Sequence, residues 1–166
     1  MKSPREVIGW REWVIVHELG LPPVKAKVDT GARTSCLHAF QIRGFKRKGA
    51  RWVRFHVHPR QHDSETVVVC EAPVLDRRWV TDSGGHRSKR YVIAVPISLG
   101  RHTQRIEITL TARDTMLFRM LLGRSALGER YLVDARASFR MGGDRKQPPL
   151  SRPTEDARED RRTFAQ

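Results

Sequence analysis

The stretch Val24-Lys25-Ala26-Lys27-Val28-Asp29-Thr30-Gly31-Ala32-Arg33-Thr34-Ser35 decides how the rest of the chain is read. A strand delivers Asp29 to a sharp Thr-Gly turn, and another strand, Cys36 to Ile42, leaves it. Gly31 permits backbone conformations and close approaches that a Cβ would block. The Thr30 hydroxyl can lock the loop, so that rigid geometry holds the Asp29 carboxylate at its tip.

A carboxylate so placed becomes reactive when a second one is brought against it. Two such groups at close range cannot both ionise cheaply, so they share a proton. One then acts as base on a water while the other donates to a scissile carbonyl, and their pKa values belong to the pair. Only one Asp-Thr-Gly occurs in the chain. The second aspartate must therefore come from another copy, and a symmetric homodimer supplies it by bringing both loops to the two-fold axis.

Outward from the loop, strand signals dominate. Trp52, Arg54, His56 and His58 alternate with Val53, Phe55 and Val57, and Arg105 to Thr111 alternates around Ile106, Ile108 and Leu110. Thr66 to Cys70 and Tyr91 to Ile97 are β-branched runs of the kind that fill a strand covered on both faces. Turn signals separate these runs at Leu21-Pro22-Pro23, Lys48-Gly49, Ser83-Gly84-Gly85 and Leu99-Gly100. Gly123 to Glu129 reads as a single short helix. Many short strands with spaced turns give an all-β fold, a closed barrel or sandwich.

Beyond Asp29-Thr30-Gly31-Ala32, an apolar strand runs into a glycine-arginine turn at Leu121-Leu122-Gly123-Arg124-Ser125-Ala126-Leu127. Between them lies Val80-Thr81-Asp82-Ser83-Gly84-Gly85-His86, a glycine-rich hairpin tip. This order resembles the retropepsins, whose hydrophobic-hydrophobic-Gly-Arg element packs beneath the aspartate loop. The chain is more closely similar to the bacterial and archaeal family known as ATP-dependent zinc proteases. Val28 to Ser35, Leu37-His38-Ala39, Ile108 to Thr111, Met120 to Arg124 and Leu132-Val133-Asp134 carry that likeness, over roughly Ile8 to Phe139.

The resemblance implies a retropepsin-like fold and aspartic peptidase activity. Asp29, Thr30 and Gly31 would be catalytic; Ala32, Arg33, Ser83, Gly84 and Gly85 would meet substrate, the last three in a flap that closes over it. Arg124 would brace the loop from below. Members of the family often accompany ATP-grasp ligases that add glutamates to protein tails, which implies glutamate-rich substrates. Viral retropepsins carry acidic residues where Arg33 and Thr34 stand, so Arg124 needs a different partner here.

The family label is not matched by metal or nucleotide motifs. There is no His-Glu-x-x-His, and no Gly-x-x-x-x-Gly-Lys-Ser/Thr phosphate loop. Cys36 with His38, or His56 with His58, could chelate, but neither pair has a complete ligand set, and the expectation is no metal and no cofactor.

Composition bounds the remainder. The 166 residues fit one domain, residues 1–141, followed by a disordered tail, 142–166, rich in proline and mixed charge. Of the net charge of +14, the body carries 26 basic and 13 acidic residues, so the positive field belongs to the folded part. No apolar run approaches the roughly 18 residues that span a bilayer. The start of the chain lacks a secretory pattern, so a soluble cytoplasmic protein without membrane contact is expected. Two cysteines, Cys36 and Cys70, are expected as buried thiols.

A positive field attracts acidic peptides or nucleic acid. Arg43, Lys46, Arg47, Lys48 and Arg51 surround a turn beside Phe45 and Trp52; Arg77, Arg78, Arg87, Lys89 and Arg90 surround the flap with Trp79 and Tyr91. Basic residues interleaved with aromatics suit single-stranded nucleic acid. The alternative to a peptidase is thus a non-enzymatic module that binds RNA or the ribosome.

Overall fold

A computed structural model describes residues 4–112 and 117–150. Twelve strands and one short helix make up the described chain. Six strands close into a barrel: β2 (Arg11–Val16), β3 (Val24–Val28), β4 (Ser35–His38), β9 (Arg87–Leu99), β10 (His102–Thr111) and β11 (Met120–Leu122). Their order is β10-β4-β11-β3-β2-β9, and antiparallel pairing of β9 with β10 shuts the ring. The all-β, retropepsin-like closed architecture is therefore observed, with α1 (Arg124–Leu127) as its one short helix.

Closure follows from the pattern of side chains. Ile93, Val95, Ile97 and Leu99 of β9 point inward opposite Ile106, Ile108 and Leu110 of β10, all at most 6 % exposed. β11 inserts between β3 and β4, parallel to the first and antiparallel to the second. Met120 stands opposite Ala26 on one side and Leu37 on the other, all three with no exposure. Burial of each large aliphatic side chain contributes about 1.5–3 kcal/mol.

Three further units attach to the barrel. β8 (Asp76–Thr81) forms a hairpin with the start of β9. β1 (Glu6–Gly9) and β12 (Tyr131–Asp134) make a parallel ribbon. β5 (Phe40–Arg47), β6 (Ala50–Val57) and β7 (Val68–Pro73) form a separate antiparallel sheet that turns Val53, Phe55 and Val57 into the core.

Some expectations change in detail. Cys36 to Ile42 is not one strand: β4 ends at His38, and Ala39 carries the chain from the barrel to the separate sheet. Thr66 to Cys70 is not covered on both faces, because β7 is an edge strand and Val69 is 52 % exposed. Thr109 and Thr111 are buried although their alternation with isoleucines placed them outside. Cys36 and Cys70 are buried thiols not joined in a disulfide, and burial pushes the Cys70 pKa up to about 12. Among the described residues no helix is long and apolar enough to cross a membrane.

The expected tail begins at Gly142, but the first part of it lies on the barrel. Trp13 Nε1 donates to the Asp144 carbonyl (2.8 Å), and Lys25 Nζ donates to the Arg145 carbonyl (2.9 Å). Burial, with Arg11 and Arg145 nearby, holds Lys25 below its usual pKa. Residues 151–166 of that tail lie outside the described residues.

A buried carboxylate anchors the approach to this segment. Glu12, with no exposure, accepts the N–H groups of Gly9 (2.7 Å), Arg140 (3.0 Å) and Met141 (2.9 Å). Truncating it strands these donors, at about 1–3 kcal/mol for each one left without a partner. Glu12→Ala should therefore destabilise the protein by at least about 3 kcal/mol in urea unfolding. A loss under 1 kcal/mol would show that water replaces the carboxylate.

Candidate active site

β3 runs straight into the aspartate loop, and its last hydrogen bonds decide where the carboxylate sits. The Asp29 N–H donates to the Leu122 carbonyl (2.8 Å), so β11 aligns the loop. Asp29 Oδ1 accepts the Gly31 N–H (3.0 Å), and the Asp29 carbonyl accepts the Ala32 N–H (3.3 Å). The first contact fixes one carboxylate oxygen against the loop, and the second tightens the turn behind it. Thr30 and Gly31 are exposed, whereas Asp29 is half-buried.

The loop is gripped from the other side by the turn into α1. Arg124 N–H donates to the Ala32 carbonyl (2.8 Å) and Ser125 N–H to the Arg33 carbonyl (2.9 Å). Gly123 N–H donates to the hydroxyl of the fully buried Ser35 (3.0 Å). Gly123 must be glycine: a Cβ there would lie 2.6 Å from the Thr34 carbonyl carbon and 2.8 Å from the Arg33 oxygen. The guanidinium of Arg124 donates to the Thr30 carbonyl (2.9 Å). This is the substitute partner that Arg33 and Thr34 made necessary, and it ties Thr30 in through its main chain.

The β8–β9 hairpin roofs the loop. Its turn is built by Asp82, whose Oδ1 accepts the His86 N–H (2.9 Å) and whose carbonyl accepts the Gly85 N–H (3.0 Å). Gly85 sits at φ 83, a conformation that favours glycine. Between roof and loop lies a cleft of about 1180 Å³. Asp29, Gly31, Ala32, Arg33 and Ser83 line it, while Gly84 and Gly85 occupy the hairpin tip.

Nothing in the sequence sets Leu121, Cys36, Thr109 and Glu107 together in one cleft. The floor is Leu121, Cys36 and Thr109, brought side by side by pairing of β11, β4 and β10. Arg78, Arg90 and Glu107 stand on the walls. Arg78 donates to both oxygens of Glu107 (2.7 and 3.4 Å) and to Asp76 (2.7 Å). These bonds hold Glu107 and Asp76 below the usual carboxylate range and raise Arg78. The ion pair ties the base of the roof to the barrel wall. Only the alternation on β10 hinted at it, by placing Glu107 on the face opposite the core.

The metal candidates stay apart. His58 stacks on Phe40 at 4.4 Å, and His38 is buried. Among the described residues, no three His, Cys, Asp or Glu side chains converge in a way that would hold an ion.

Comparisons with known proteins fit this geometry. A family profile described as "Retropepsin-like aspartic endopeptidase RimB" matches residues 7–141. A protein of Shewanella halifaxensis named probable alpha-L-glutamate ligase is 49% identical over 142 residues, which is 86% of this chain and 31% of that protein. A protein of the same name from Parasynechococcus marenigrum is 48% identical over 144 residues, 87% of this chain and 31% of its own length. The chain thus spans about a third of the curated relatives it matches. A crystal structure of a Legionella pneumophila protein of unknown function superposes with a TM-score of 0.69 at 27% identity, covering 83% of this chain and 99% of that one.

The Arg78 tether has a pH signature. Glu107 and Asp76 have depressed folded-state pKa values. Their stabilisation is therefore present above the unfolded values, near 4, and is lost as pH falls through the folded ones. All three side chains are 40–47% exposed, so the effect is local and screened by salt. Amide exchange in β8, corrected for intrinsic rates, should accelerate below about pH 4. Arg78→Ala should show the fast rate at neutral pH and no acid step. An identical acid step in both proteins would contradict the tether.

Proposed function

Because the chain belongs to the RimB-like family of retropepsin-like aspartic endopeptidases, we propose that it hydrolyses peptide or amide bonds with a dyad of two Asp29 carboxylates, one from each of two copies. The observation that carries this reading is Asp29 itself, gripped through Leu122 and Gly31 at the edge of a roofed cleft. In the homodimer the two carboxylates share one proton. The ionised one removes a proton from water as its oxygen bonds to the scissile carbonyl carbon. The protonated one donates to the carbonyl oxygen, giving a neutral gem-diol. Proton transfer to the amide nitrogen then lets the C–N bond break. No covalent intermediate and no cofactor enter.

Thr30 and Gly31 hold the dyad, and Arg124 braces the loop through the Thr30 carbonyl. The hairpin carrying Ser83, Gly84 and Gly85 acts as the flap, and Ala32 and Arg33 contact the substrate backbone. The proposed substrate is an acidic, glutamate-rich protein tail in the cytoplasm. The positive body supports this, as do relatives named for glutamate ligation.

The competing account, a non-enzymatic RNA- or ribosome-binding module, predicts binding without cleavage. Asp29→Asn keeps the side chain's shape and removes the shared proton. It should leave folding and dimerisation intact while lowering cleavage of a glutamate-rich peptide, read by mass spectrometry, by about 10⁴-fold or more. If wild type and Asp29→Asn bind that peptide equally and neither cleaves any peptide, the hydrolase reading fails.

A further inference from the structure

The sheet β5-β6-β7 lies outside the barrel ring, and the proposed hydrolysis makes no use of its outward face. Val53, Phe55 and Val57 point into the core, so Trp52, Arg54 and His56 point out. The register sets Phe45 opposite Trp52 and Arg43 opposite Arg54 on that outward side. Lys48 and Gly49, both at positive φ, turn the hairpin between Arg47 and Ala50.

The hairpin holds two like-charge pairs in direct opposition, Arg43 with Arg54 and Lys46 with Arg51. Such pairs destabilise a sheet. Glu71 offsets part of the charge, accepting Arg47 (2.6 Å) and Arg54 (3.1 Å). Arg43, Lys46, Lys48 and Arg51 make no ion pair among the described residues. Alternation sets Arg43 on the outward face and Lys46 and Arg51 on the reverse one, with Lys48 at the turn, so the exposed hairpin tip carries cations without ion pairs on both sides.

Flat π surfaces lie among these charges. The Arg47 guanidinium sits 4.4 Å from the Trp52 ring and 5.3 Å from the Phe45 ring. Phe40 and His58 form a second stacked pair, tilted by only 19°. A carboxylate-bearing peptide would satisfy the cations but has nothing to lay on these rings. A strand of unpaired nucleotides satisfies both, with phosphates on the hairpin cations and bases on the aromatic and guanidinium planes.

We propose that the exposed tip of the β5–β6 hairpin, with Phe45 and Trp52 on its outward face, Lys46 and Arg51 on the reverse one and Lys48 at the turn, binds single-stranded nucleic acid that wraps over it. This function is separate from the cleft and stands whether or not Asp29 is catalytic. A duplex is excluded as the preferred ligand because its bases are stacked on each other.

The test is fluorescence anisotropy of the full chain with a labelled oligouridylate, its deoxy counterpart and a duplex of equal length. Affinity should favour the single strands, and comparison of the two sugars identifies RNA or DNA as the preferred form. With four hairpin cations on phosphates, log affinity should fall against log salt with a slope of roughly −3. The double variant Lys46→Gln/Arg51→Gln should reduce that slope by about 1.4 without lowering the thermal midpoint, since it removes a repulsive pair. Trp52→Ala should weaken binding about tenfold. The proposal is overturned by absent binding, by binding that the double variant leaves unchanged, or by a polyglutamate peptide that displaces the oligonucleotide at equal concentration.

Discussion

The structure depends on the clasp between the aspartate loop and the turn that opens α1. Two segments about ninety residues apart exchange main-chain hydrogen bonds in both directions: Asp29 to Leu122 one way, Arg124 to Ala32 and Ser125 to Arg33 the other. Each contributes about 0.5–1.5 kcal/mol net. The Ser35 hydroxyl and the bare Gly123 Cα let the backbones approach closely enough for all three to form. Because β11 lies between β3 and β4, the clasp also sets the barrel's strand order. Position of the carboxylate and closure of the fold are consequently one constraint.

The local parts of this arrangement were legible in the chain. Asp29-Thr30-Gly31-Ala32 and Leu121-Leu122-Gly123-Arg124 each carry their turn chemistry in adjacent residues, and the strands of β6 and β10 show in their alternation. What stayed hidden is non-local. Glu12 looks like any surface glutamate in a strand, yet it accepts the N–H of nearby Gly9 and two more from the remote Arg140–Met141 segment. Arg78 reads as one of many arginines until folding sets it against Glu107. The break at Ala39 has no glycine or proline to announce it. Trp13 and Lys25 gave no sign that they would receive residues 144 and 145.

Charge is distributed by role. Of the cations at and beneath the cleft, Arg78 is answered by Glu107 and Asp76, and Arg124 is bonded to a carbonyl. On the separate sheet cations are mostly unanswered. The overall charge of +14 therefore does not describe one uniform field. The β5–β6 hairpin concentrates cations without ion pairs among the described residues, whereas Arg78 at the cleft is held by two carboxylates.

The central claim is that catalysis needs two Asp29 carboxylates at one point. It is tested most directly by a crystal structure of the protein bound to a peptide-like inhibitor with a hydroxyl in place of the scissile carbonyl. The account predicts a two-fold dimer with the Asp29 carboxylates about 3 Å apart, both within hydrogen-bond reach of that hydroxyl and with the two β8–β9 hairpins closed above it. An inhibitor held by a single chain, or a dimer whose Asp29 loops face away from each other, would contradict it.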